Sequence, residues 1–174
     1  MERDWETLIG QIEEQAAMYA VQMGDEPVRH RPGASEEQIV AAEQRLGFLF
    51  DPCYREFLTY SNGWAGFSFG DEHQYSLDEL GVTARWADNK AGADEWADID
   101  LSEVAPGSPP WDSHLLIAAS HLVWSITLCP PAGSASGRIL TVVDDVRAFD
   151  DFYAYLQEVL RIWIYCNDKY GDAP

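Results

Sequence analysis

The stretch from Ala34 to Phe69, ASEEQIVAAEQRLGFLFDPCYREFLTYSNGWAGFSF, leaves the chain little choice of local structure. Ser35 with Gln38 three residues on is a capping box, in which the hydroxyl accepts from the Gln38 amide and the Gln38 side chain reaches back. Ile39, Ala42 and Leu46 then form an apolar stripe, and Gly47 supplies the left-handed stop. Phe48, Leu49 and Phe50 read as an extended apolar connection. Asp51 and Pro52 open the next helix as N-cap and first helical residue. Tyr54, Phe57 and Leu58 give its buried side, and Asn62-Gly63 is expected to end it, since both residues tolerate left-handed backbone. WAGFSFG follows as a strand that alternates aromatic with small residues: Trp64, then Phe67 and Phe69 on one face. All these signals build a fold, and none is a catalytic motif.

Around this stretch the remaining elements fall into order. Trp5, Leu8, Ile9, Ile12, Ala16, Tyr19, Ala20 and Met23 recur at helical spacing and predict a helix over residues 4–23, stopped by Gly24. Glu13 and Glu14 lie where a membrane-surface helix would carry basic residues, so this helix should pack on protein. The linker DEPVRHRPG follows, with Arg29, His30 and Arg31 as a basic spot in a loop. Residues 1–32 thus read as an N-terminal amphipathic helix and linker packed on a single domain spanning 33–174. His114 to Ala119 predicts a short buried strand. Leu122, Trp124, Ile126 and Leu128 share one face of the next, with Ser125 and Thr127 on the other, and PPAGSASG leads into a further strand over Ile139 to Val143. Short connections between these strands argue for an antiparallel sheet, hence an α+β fold with helices flanking the sheet. Phe152, Tyr155, Leu156, Val159, Leu160 and Trp163 give the last helix a wide apolar face, from Phe149 or Asp151 to Lys169.

Residues 70–104 stand apart as an acidic insert. Asp71, Glu72, Asp78, Glu79, Asp88, Asp94, Glu95, Asp98, Asp100 and Glu103 face only Arg85 and Lys90. Ser76 and Glu79 resemble another capping box, which predicts helix from Leu77 towards Lys90, although Gly81 and Val82 interrupt it. Trp86 and Trp96 lie among the acids. They either reach the core from peripheral helices, or they anchor a partner, as Trp in a charged surround does at interfaces. The second reading makes Asp71, Glu72, Trp86, Asp94, Glu95, Trp96, Asp98 and Asp100 the candidate partner-binding residues.

Charge narrows the partners. Eleven Lys and Arg against thirty Asp and Glu give a net charge of -19, which repels nucleic acid and anionic membrane and attracts a cationic partner. The same acidity also serves solubility. A hydrophobic fraction of 47% over 174 residues argues against disorder. No apolar run approaches the roughly 20 residues that span a bilayer. The start MERDWETLIG lacks the pattern of a secretory signal, so a cytoplasmic setting is expected. Cys53, Cys129 and Cys166 are widely spaced and read as buried thiols.

Catalytic patterns are sparse. His30, His73, His114 and His121 show no metal-ligand spacing, and neither a phosphate-binding glycine loop nor a nucleophile elbow occurs. No metal and no cofactor is expected. Asp144-Asp145 and Asp150-Asp151 could hold a cation, but a strand-end turn and the cap of the last helix explain them more simply. Glu43 lies one residue from the apolar stripe of its helix. It either faces solvent, the default for a lone Glu, or accepts backbone amides at the next helix or the turn.

SEEQIVAAEQRLGF followed by DPCYREFLTYSNG resembles the signature of the Smi/Knr-like group of the SUKH superfamily. The matching positions are Ile39, Ala42-Glu43, Leu46-Gly47, Pro52, Tyr54, Phe57-Leu58 and Asn62-Gly63, and VRAFDDFYAYL is similar to the family's closing helix with its phenylalanine pair, Phe149 and Phe152. The resemblance runs from about Gly33 to Leu160. The family has Leu or Ile directly before the proline, whereas this chain has Phe50-Asp51-Pro52. The resemblance implies an α+β fold with a mostly antiparallel sheet and structural roles for Glu43, Gly47, Pro52, Tyr54, Asn62 and Gly63. It also implies a non-enzymatic, protein-binding role: bacterial members are immunity proteins that neutralise a cognate toxin, often a nuclease, and fungal relatives regulate cell-wall synthesis. Three functions therefore stand: an immunity-type module that binds a basic toxin through its acidic face, a regulatory or scaffolding interaction domain, and a metal-dependent hydrolase using the acidic middle.

Overall fold

The structure, a computed structural model, describes residues 3–27, 29–68, 72–120, 125–134, 138–143 and 145–170. Helix α1 (Trp5–Met23) starts where the Asp4 carboxylate accepts the Thr7 amide at 3.0 Å, and ends at Gly24 with φ 78°. In α2 (Glu36–Leu46) both halves of the capping box form, and Gly47 adopts φ 61°. Asp51 caps α3 (Pro52–Leu58), accepting the amides of Cys53 and Tyr54 at 2.9 and 3.2 Å. The residue by which Phe50-Asp51-Pro52 departs from the Leu-Pro pattern is therefore the cap itself. Phe50 is buried while Leu49 is exposed.

Six antiparallel strands follow in a meander with spatial order β1-β2-β3-β4-β5-β6: β1 (Trp64–Ser68), β2 (Glu72–Gln74), β3 (Leu115–Ser120), β4 (Ser125–Cys129), β5 (Ile139–Val142) and β6 (Val146–Phe149). Between β2 and β3 the chain leaves the sheet to form α4 (Ala84–Asp94) and a 3-10 turn over Trp111–Ser113. Helix α5 (Phe152–Tyr170) closes the order. The fold is α+β, as the sequence implies.

Side-chain alternation places the helices. Thr141 and Val143 look towards α5, as do Ser125 and Thr127, whereas Val142 faces the α4 side. Helices α1, α3 and α5 cover the first face, and their shared core is aromatic. Phe57 and Phe152 lie 4.7 Å apart between ring centres, Tyr54 and Phe152 5.0 Å, and Trp5 meets Tyr153 edge-on at 4.9 Å. On the other face α4 is held by three polar contacts. Trp86 Nε1 donates to the Leu116 carbonyl (3.0 Å), Trp111 Nε1 to the Ala93 carbonyl (3.1 Å) and Asn89 to the Tyr75 hydroxyl (2.6 Å). With both faces covered, all six residues of β3 are buried. Cys53, Cys129 and Cys166 are buried free thiols; desolvation pushes the Cys53 thiol up to about 12. Among the described residues no helix is long and apolar enough to cross a membrane.

Several expectations change. Helix α3 ends at Leu58, not at Asn62-Gly63, because the Tyr60 and Ser61 amides fold back onto the Phe57 carbonyl at 2.8 and 3.0 Å. Asn62 Oδ1 instead accepts the Leu77 amide at 2.8 Å, and Gly63, at φ 101°, lets the backbone pass where a Cβ would stand 2.9 Å from Ser76 Cβ. No helix starts at Leu77. Glu79 does reach back to the Ser76 amide (2.8 Å), but the Ser76 hydroxyl donates to that same carboxylate, the chain turns at Gly81, and α4 begins only after Thr83 caps the Trp86 amide. Trp64 and Phe67 are both buried despite odd spacing because the register breaks between Trp64 and Ser68, with Gly66 at φ 63°. Phe69, Leu122 and Trp124 lie outside the described residues. Strands β2 and β6 add to the strands that the sequence pattern predicts.

Candidate functional site

The acidic insert builds one face. Thr83 caps α4, Trp86 and Asn89 bind its inner side to the sheet, and the acids are left outside. Asp88, Asp94, Glu95, Asp98, Asp100 and Glu103 are all exposed. Among the described residues, their one ion pair is Lys90 with Asp94. Asp88, Glu95 and Trp96 border a single hollow of about 360 Å³ between α4 and the sheet, floored by Ile126 and Val142. Trp96 is 40% exposed, the arrangement expected of an anchor, whereas Trp86 is half-buried and tied to β3. Of the candidate partner-binding residues, Asp94, Glu95, Trp96, Asp98 and Asp100 are exposed on the insert, and the structure brings Glu95 and Trp96 together at that hollow. Asp71 lies outside the described residues.

Glu72 belongs elsewhere. It is only 4% exposed, sits in β2 and points under α5 instead of joining the acidic face. Its carboxyl receives the Thr127 hydroxyl at 2.7 Å and the Tyr155 hydroxyl at 3.2 Å, and those two hydroxyls lie 3.0 Å apart. Burial pushes the Glu72 carboxyl up from its ordinary value, against the lowering effect of the hydroxyls of Thr127, Tyr155 and Ser68. Tyr155 is raised as well, by burial and by the neighbouring Glu72. This group floors a cleft of about 580 Å³ between α5 and the outer strands, which nothing in the sequence pattern signals. A Gly-Asp dipeptide after the aromatic run of β1 is a hairpin-turn signal in the sequence, and so points to Glu72 as a strand residue although β2 itself is polar.

The signature residues have structural partners. Glu43 is 8% exposed, contrary to the solvated default: it accepts the Phe50 amide at 3.0 Å and lies 3.4 Å from Arg55 Nε. It ties α2 to the start of α3, while Asn62 ties the post-α3 turn to Leu77, so the two side chains serve different segments. Asp151 accepts the Ala154 amide at 2.8 Å as a cap and pairs with Arg3 at 2.9 Å. Asp145 pairs with Arg147 at 3.4 Å in the β5–β6 turn; Asp144 and His121 are outside the described residues. Desolvation by burial lowers the basicity of His30, His73 and His114. Among the described residues no three His, Cys, Asp or Glu side chains converge as a metal site would need.

An antiparallel sheet between a three-helix layer and an acidic, tryptophan-bearing insert makes this an α+β protein. The chain belongs to the SMI1 / KNR4 family (SUKH-1), whose model matches residues 33–158. The match takes in α2 through the first turns of α5 and leaves α1 outside it. That family consists generally of non-catalytic protein-interaction or immunity-type modules. None of the curated proteins compared with the chain matches it.

Proposed function

We propose that this chain is a non-catalytic, cytoplasmic immunity-type protein that neutralises a cognate basic toxin, with a nuclease as the best chemical fit. One observation carries the reading: the exposed acids Asp88 and Glu95 share a hollow with the part-exposed Trp96, on an insert that carries four more exposed acids and whose inner side is fixed to the sheet. Such a face imitates the charge of a nucleic-acid backbone. It steers a cationic cleft into encounter, and Trp96, buried on contact, slows dissociation. A rigid support favours this use, because a fixed paratope loses less conformational freedom on binding.

The test is coexpression with the toxic product of the gene beside its own. The chain should bind that product and protect the cell. A Glu95→Lys/Trp96→Ala/Asp98→Lys variant with an unchanged melting temperature should lose protection. Absence of both binding and protection with the unaltered chain would end the immunity reading. Full protection by the triple variant would move the contact off this face.

A further inference from the structure

We propose that the cleft between α5 and strands β4–β6 receives one arginine side chain of the protein partner, with Glu72 as its counter-charge. The inference rests on the protein-binding reading above and gives it a second, chemically defined contact.

The cleft's volume of about 580 Å³ lies in the range of preformed ligand sites, roughly 300–1,000 Å³. Its walls are apolar where a side-chain stem would run, with Val143, Phe149, Val159 and Ile162 among them. Long cationic side chains lay their methylenes along such walls and extend only the head group to a polar partner. The floor offers that partner. Glu72 is almost fully buried, yet among the described residues no Lys, Arg or His pairs with it. A buried carboxyl normally has a counter-charge or extensive hydrogen bonding, since desolvation costs several kcal/mol otherwise. Here the hydroxyls of Thr127, Tyr155 and Ser68 orient it without bringing a positive charge.

A second observation points to a ligand. Ser125 Oγ lines the same cleft, is 4% exposed at residue level, and among the described residues has no hydrogen-bond partner. Buried polar atoms are seldom left so. A guanidinium suits both needs, because its five N–H donors can serve a carboxylate oxygen and a hydroxyl oxygen that line the same cleft. The ammonium of lysine is more strongly hydrated and loses more on entering an apolar-walled cleft. Among the lining residues Glu72, Asp145 and Glu158 outnumber Arg147; Asp145 pairs with Arg147, and Glu158 with Arg161 outside the lining, which leaves Glu72 as the acid without a cation among the described residues. The lining is thus net acidic, and its charge complements a basic partner.

The probe is N-acetyl-arginine amide, titrated into the full chain carrying 13C-labelled carboxyl groups and read by NMR, with N-acetyl-norleucine amide as the uncharged control. The arginine probe should move the Glu72 carboxyl signal saturably, and the control should not. Glu72→Gln should weaken binding by about tenfold or more, the loss of a charge-assisted hydrogen bond. Ile162→Arg, which blocks the cleft without touching the buried hydroxyl group, should abolish the response while leaving the other carboxyl signals in place. Equal response to both probes, or an arginine response confined to Asp88 and Glu95, would overturn the proposal. Because this titration needs no toxin, its failure leaves the immunity reading standing. Conversely, a saturable Glu72 response beside failed protection would sink the immunity reading alone.

Discussion

Glu43 shows what a single side chain contributes here. Its carboxylate, buried against Phe50 and Arg55, holds the amide just ahead of the α3 cap, so it fixes how α2 hands over to α3. Glu43→Ala leaves that amide without an acceptor, and a cost of about 1–3 kcal/mol follows from the desolvation of an unsatisfied group. Thermal melts should show a clear drop; an unchanged melting temperature would mean that the contact carries no stability. Glu72 has the opposite sign. Its folded-state pKa is raised above the ordinary 4.5, so the folded state holds its proton more tightly than the unfolded state does. The resulting contribution weakens the fold as pH rises past 4.5 and is fully felt above the folded-state value. Glu72→Gln removes the titration. Its melting temperature relative to the unaltered chain should rise at pH 7, and the difference should shrink as pH is lowered towards 4. A difference independent of pH would show that the carboxyl's charge is not what costs stability. Retaining an acid that weakens the fold fits a group kept for binding, where stability and function are often opposed.

At the scale of elements, caps and periodicity carried most of the outline. The Ser35–Gln38 box, the Asp51-Pro52 start and the stripes of α1 and α5 are local, and local rules describe them. Two strands escaped because their information is not local. β2 is three residues long and polar, and β6 holds Arg147 in its middle, so neither shows alternation until a neighbour supplies the register. The cleft escaped for the same reason: Glu72 meets partners 55 and 83 residues away. The exposed acids of the insert were legible one by one, but their division from Glu72 needed the sheet. The segment between Ser76 and Thr83 shows how tertiary contacts decide an element. Arg45 donates to the Leu77 and Leu80 carbonyls, both at 2.6 Å, and holds the turn against α2. Arg45→Ala should leave α2 helical while the Leu80 and Val82 amides, bonded to Ser76 and Glu79, exchange about tenfold faster, the change expected from losing roughly 1.5 kcal/mol of charged hydrogen bonding. Unchanged exchange would mean that the turn holds itself.

For the whole molecule, the question is how a net charge of -19 acts on encounter. Fields from exposed charges fade within a Debye length of about 10 Å at 0.1 M salt, so the acidic insert acts chiefly on the approach of a basic partner. The anchor acts later, once water is excluded around Trp96. The two contributions separate in kinetics. Raising salt from low to physiological strength should slow association by about tenfold and leave dissociation nearly unchanged, as steering implies. Glu95→Lys with Asp98→Lys should reproduce the slower association and flatten its salt dependence. Trp96→Ala should speed dissociation with the association rate intact. Surface-plasmon measurements with the purified toxin at several salt concentrations distinguish these outcomes. If both variants changed only dissociation, charge would serve the bound complex and not the approach, and the acidity of the rest of the surface would be left to solubility.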